Sequence, residues 1–84
     1  MTREQVLRIA INIYRSKLGQ LPESACIEEY NEEDQTATVH LEYLSDLIEP
    51  ATVEINLKLG KARLIFGLRE RDVEWFRIEE VQKD

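Results

Sequence analysis

The sequence predicts an α+β fold: an N-terminal α-helix packed on one face of a four-stranded antiparallel meander sheet, in the order α-β-β-β-β. Three observations predict it. Apolar residues recur at helical spacing between Thr2 and Gly19. From Leu21-Pro22 onward the apolar period changes from 3.6 to 2. The clearest alternating stretch, Ala51 to Leu68, is broken by Gly60-Lys61, which reads as a two-residue hairpin turn.

The helix is signalled at both ends. Thr2 and Gln5 have the spacing of a capping box, and Gly19 supplies the left-handed stop. Val6, Leu7, Ile9, Ala10, Ile11, Ile13, Tyr14 and Leu18 cover about 200° of its circumference, with Arg8, Asn12 and Arg15 opposite. A stripe that wide suits a helix cradled by a curved sheet.

Ala25 to Tyr30 and Thr36 to Leu44 are the first two strands, flanking an Asn31-Glu32-Glu33-Asp34 turn. Ala37, Val39, Leu41 and Tyr43 face inward, and Thr36, Thr38, His40 and Glu42 face outward. Ala25 and Ile27 share the inward face when they stand opposite Leu41 and Val39, and Cys26 then faces His40. Ser45 to Pro50 connects the halves, with Leu47 and Ile48 tucked against the core. In the next hairpin the Gly60-Lys61 turn sets Leu59 opposite Ala62, Leu57 opposite Leu64, Ile55 opposite Phe66 and Val53 opposite Leu68. Every pair is apolar. Arg69 to Asp72 forms a loop into Val73 to Val81, which folds back so that Val73 opposes Leu68 and Trp75 opposes Phe66 on the core face. The same register puts Ile65 across from Phe76, with Ile78 beside Arg63, on the face the helix does not cover. Tyr30 extends this apolar cluster, and Arg63, Arg71 and Arg77 rim it.

This order of elements resembles cystatin-like and PepSY-like folds in topology alone. The QxVxG loop through which cystatins bind proteases is absent from the sequence, so the resemblance implies no function.

Composition narrows the function classes. The chain is one domain, residues 1–84, with 43% hydrophobic residues and 33% charged, too apolar for a disordered segment. Its longest apolar runs, such as Ile9-Ala10-Ile11, are too short to cross a membrane, and the polar start is unlike a signal peptide. One cysteine, Cys26, forms no internal disulfide, which points to a reducing, cytoplasmic setting. The net charge of −6 is uneven: residues 18–57 hold ten acids and no Lys or Arg, while the helix and the last segments carry the bases. That block is a solvated surface aiding solubility, or a negative field that draws basic partners and repels nucleic acid.

Little in the chain can carry catalysis. Cys26 across from His40, with Glu28 or Glu42 orienting the ring, has the residue types of a thiol nucleophile, but no glycine-rich segment offers oxyanion donors. The run Glu28 to Asp34 lacks the glycine and the alternating ligands of a calcium loop, so no metal and no cofactor are expected. The expected function is a small non-enzymatic protein-binding module, of inhibitor, immunity or adaptor type. Ile65, Phe76 and Ile78 are its expected anchors, with Glu28, Glu32, Glu33 and Asp34 steering. The expected partner is another protein with a basic surface, neither nucleic acid nor membrane. The alternative is a structural homodimer that pairs with a second copy through the same sheet face, ahead of a small Cys/His-dependent enzyme.

Overall fold

The computed structural model describes residues 1–43, 50–66 and 74–81. Helix α1, Arg3–Leu18, starts where Thr2 Oγ1 accepts the Gln5 N–H at 3.1 Å and Gln5 Oε1 accepts the Thr2 N–H at 3.4 Å. It stops at Gly19, whose φ of 73° lets its N–H reach back to the Arg15 carbonyl at 2.8 Å. Val6, Ile9, Ala10, Ile13 and Tyr14 are buried, a run of spacings of three and four that keeps one stripe on the sheet. Leu7, Ile11 and Leu18 are half-buried at the edges of that stripe, which accounts for its width.

Strands β1 (Ser24–Asn31), β2 (Thr36–Glu42), β3 (Ala51–Asn56), β4 (Lys61–Phe66) and β5 (Phe76–Arg77) form an antiparallel sheet in chain order, four main strands and a short fifth. A one-turn helix, α2 (Ile78–Val81), ends the described chain. Ala37, Val39 and Leu41 of β2, Ala51, Val53 and Ile55 of β3, and Ala62 and Leu64 of β4 face α1 and close the core with Ile78. The helix-on-meander architecture is the one the periodicities predict.

The first hairpin has the expected register as far as Ile27, with Ala25 opposite Leu41, Cys26 opposite His40 and Ile27 opposite Val39. A bulge between Ile27 and Glu29 then shifts the pairing, so that Tyr30 stands opposite Ala37. The extra residue turns Tyr30 from the outer face to the helix side. There its hydroxyl donates to the Met1 carbonyl at 2.8 Å and its ring packs on the core. Tyr30 therefore does not extend an outer apolar cluster.

The second hairpin corrects the expected pairing. Val53 stands opposite Leu64 and Ile55 opposite Ala62, because the connection is the four-residue turn 57–60 and not Gly60-Lys61. Asn56 Oδ1 accepts the Leu59 N–H at 3.1 Å, and Gly60 takes the positive φ, 65°, that closes the turn. The slip moves partners by an even number of residues, so the core face is preserved. Only the turn residues change role: Leu59 points outward, 68% exposed, and Leu57 is half-buried.

The last segment is corrected more strongly. β5 has two residues and pairs Phe76 with Ala62 and Arg77 with Lys61. Ala62 faces α1, so Phe76 faces α1 as well, and Lys17 Nζ lies 4.5 Å from the centre of its ring. Trp75, expected on the core face opposite Phe66, is instead 43% exposed beneath the Arg63 guanidinium, 4.9 Å from its ring centre. Ile78 donates its N–H to the Gly60 carbonyl at 2.9 Å and turns into the core as α2, 6% exposed. The expected contacts of Val73 and Leu68, the Leu47-Ile48 connection and the 69–72 loop with Arg71 lie outside the described residues.

The Tyr14 hydroxyl is buried with no hydrogen-bond partner among the described residues. A buried hydroxyl without a partner carries its full desolvation cost, about 1–3 kcal/mol. Tyr14→Phe is therefore expected to melt at or above the wild-type temperature, and a clear drop in a thermal melt would show that the hydroxyl is satisfied.

Candidate functional site

Two surfaces concentrate polar chemistry. The first is the sheet face away from α1, where alternation puts Cys26, His40 and Thr52 in adjacent strands. The imidazole is held from both sides: Glu42 Oε1 lies 2.9 Å from Nε2, and Glu28 Oε1 lies 3.4 Å from Nδ1. The Cys26 sulfur turns to its own strand, 3.7 Å from the Ile27 carbonyl oxygen. The register thus brings cysteine and histidine side by side, but each ring nitrogen faces a carboxylate and neither serves the thiol. A thiolate nucleophile needs an imidazole or another cation directed at the sulfur. Cys26, exposed on this face, is accordingly expected to react with iodoacetamide at the rate of a model peptide thiol at neutral pH. A rate about tenfold faster would restore the nucleophile reading.

On the same face Arg63 donates from one Nη to both oxygens of Glu54, at 2.9 and 3.1 Å, while its guanidinium covers Trp75. Its Nε is buried without a partner among the described residues. This stack fixes the Trp75 ring against the sheet and leaves its far side open. Among the described residues no group of three or more His, Cys, Asp and Glu side chains is arranged to hold a metal ion.

The second surface is the end of the sheet where the β1–β2 and β3–β4 turns lie side by side. The Leu57 N–H donates to the Gln35 carbonyl at 2.9 Å and ties the two turns together. In the first turn Asn31 accepts the Asp34 N–H at 3.1 Å and donates to the Asp34 carboxylate at 3.2 Å. That closure holds Glu32, Glu33 and Asp34 exposed as a group. In the second turn Lys58 and Leu59 project into solvent, and Lys61 stands directly opposite Arg77 in β5. Like charges facing across a strand pair repel. Among the described residues Arg77 has one carboxylate near it, Glu79 at 3.6 Å, and both side chains are largely exposed, so that contact neutralises little. Leu59 sits between two shallow concavities. One, of about 480 Å³, has Ile9, Leu57 and Ile78 on its floor and Lys61 and Arg77 at its rim. The other, of about 190 Å³, is lined by Asn56, Leu59, Lys61 and Trp75.

The structure brings together Glu32, Glu33 and Asp34, and places Glu28 away from them, paired with His40. It does not bring together Ile65, Phe76 and Ile78. Ile65 is opposite Thr52 on the outer face and only 3% exposed, Phe76 packs on the core, and Ile78 is buried in it. Phe76 and Ile78 present no open apolar anchor, because β5 pairs three positions away from the expected register and ends after two residues, and Ile65 keeps its expected face but is buried there. The exposed apolar side chains beside the charged turns are Leu59 and Trp75, which the expected register had turned inward. The signal for Leu59 was present in Asn56, whose side chain opens a four-residue turn more readily than it continues a strand.

Against protein-family models, curated proteins and solved structures, the chain finds no match.

Proposed function

We propose that this chain is a small non-enzymatic protein-binding module, of inhibitor, immunity or adaptor type, acting in the reducing cytoplasm on another protein and not on nucleic acid or membrane. The observation that carries the reading is Leu59, 68% exposed at the tip of a turn closed by its own hydrogen bonds, between an acidic turn and a basic pair. A large apolar side chain held rigidly in water gains most from burial by a partner and loses little conformational freedom in the process. Glu32, Glu33 and Asp34 supply the negative field beside it, which speeds encounter with a basic surface. Trp75 adds a second anchor at the same end, oriented by Arg63.

The test is a pull-down with the immobilised chain at low and high salt. Leu59→Glu is expected to weaken capture by about tenfold or more, as expected of an interface anchor. Glu32→Lys with Glu33→Lys is expected to weaken it chiefly at low salt, where steering acts. Capture indifferent to salt and to all three substitutions would refute the proposal.

A further inference from the structure

We infer that the partner fitted by this end of the sheet is a second copy of the same chain, joined about a two-fold axis; the inference rests on the reading of that end as an interaction surface. Three exposed acids, Glu32, Glu33 and Asp34, lie beside three exposed bases, Lys58, Lys61 and Arg77. The two turns are two strand spacings apart, about 10 Å. A two-fold axis perpendicular to the sheet, just beyond the turns and midway between them, sets the two ends against each other with the acids of each copy on the bases of the other, and does so twice. The same rotation covers both Leu59 side chains and relieves the Lys61–Arg77 repulsion with the carboxylates of the second copy.

Both patches are preorganised. The acidic turn is closed by Asn31 and Asp34, the basic one by Asn56 and Gly60, and the Gln35–Leu57 hydrogen bond fixes one against the other. A rigid, self-complementary patch needs no rearrangement to pair. The net charge of −6 on each copy opposes association at long range. Contact pairs at the interface act within the Debye length of about 8 Å at physiological ionic strength, while the remaining charges of the two copies are largely screened beyond it. Local complementarity therefore outweighs net repulsion.

The test is sedimentation velocity of the full chain from about 10 to 500 µM, under reducing conditions so that Cys26 forms no crosslink. Wild type is expected to shift from monomer to dimer with concentration. Glu32→Lys with Glu33→Lys is expected to be monomeric throughout, and so is Lys58→Glu with Lys61→Glu. Mixed in equal amounts, the two reversed chains are expected to dimerise, because both contacts are again between opposite charges. All four positions are exposed, and circular dichroism melts check that each variant is folded. A monomeric wild type, a dimer that survives both reversals, or a mixture that stays monomeric would each overturn the second copy as partner. A monomeric wild type that still captures another protein through Leu59 would overturn this inference alone and leave the binding-module reading standing.

Discussion

Ile78→Asp is expected to destabilise the fold by about 4 kcal/mol or more, because it trades a core side chain for a carboxylate buried without a partner. Ile78 is 6% exposed and packs with α1 and the sheet, and its backbone N–H is engaged with Gly60. A domain of this length holds roughly 4–13 kcal/mol in total, so the variant is expected to be largely unfolded at 37 °C. Leu59→Asp, some twenty positions earlier and equally apolar in origin, is expected to change stability by less than about 0.5 kcal/mol, since the side chain is already in water. Urea unfolding of the two variants separates the folded arrangement from the alternating-strand reading of Val73 to Val81, under which Ile78 would tolerate a charge and Leu59 would not.

The second large effect belongs to the sheet itself. Leu41 is fully buried in β2, between Ala25 of β1 and Ala51 of β3. Both neighbours are small, so Leu41 supplies most of the volume at that level of the core. Leu41→Ala is expected to cost about 3 kcal/mol, within the usual range for a buried leucine whose surroundings collapse only partly. For a domain of this size that is a fall in melting temperature of roughly 12–24 °C. A fall of only a few degrees would mean that α1 settles into the vacated space.

Leu41 was legible from the sequence, and so was most of what lies near it. The Thr2–Gln5 cap, the Gly19 stop and the alternation in β2, β3 and β4 each depend on local chemistry, and local chemistry is what a sequence states most directly. Register beyond the first hairpin was less legible. Gly60 suits either the second half of a four-residue turn or the first position of a two-residue one. The choice fell to the Asn56 side chain and to the Gln35–Leu57 hydrogen bond, a contact between turns that no single hairpin reveals. Because the resulting slip is even, the core survived it while Leu59 changed sides. The bulge at Glu28 had no mark in the alternation, since Glu28-Glu29-Tyr30 reads as well with the tyrosine outward as inward. Its cause lies at a distance, in the Tyr30 hydroxyl reaching the Met1 carbonyl.

The same limit shaped the reading of the surface. The acids at 32–34 are exposed as their position in a turn implies, whereas the apolar anchors depended on the register of β5. Ala62 faces the helix and takes Phe76 with it, so the open apolar contacts moved from Ile65, Phe76 and Ile78 to Leu59 and Trp75. Three residues of the acidic block, Glu32, Glu33 and Asp34, form in the fold a compact turn one hydrogen bond away from a basic one. A partner meets that juxtaposition and not the net charge.

The most direct measurement of that surface is amide chemical-shift mapping by 1H–15N NMR as the concentration of the uniformly labelled chain is raised. The structure leads to the expectation that shifts concentrate at Glu32 to Gln35, Leu57 to Lys61, and Trp75 to Arg77, while Cys26, His40 and Thr52 on the sheet face stay where they are. Shifts centred on Cys26 and His40, or none at any concentration, would contradict it.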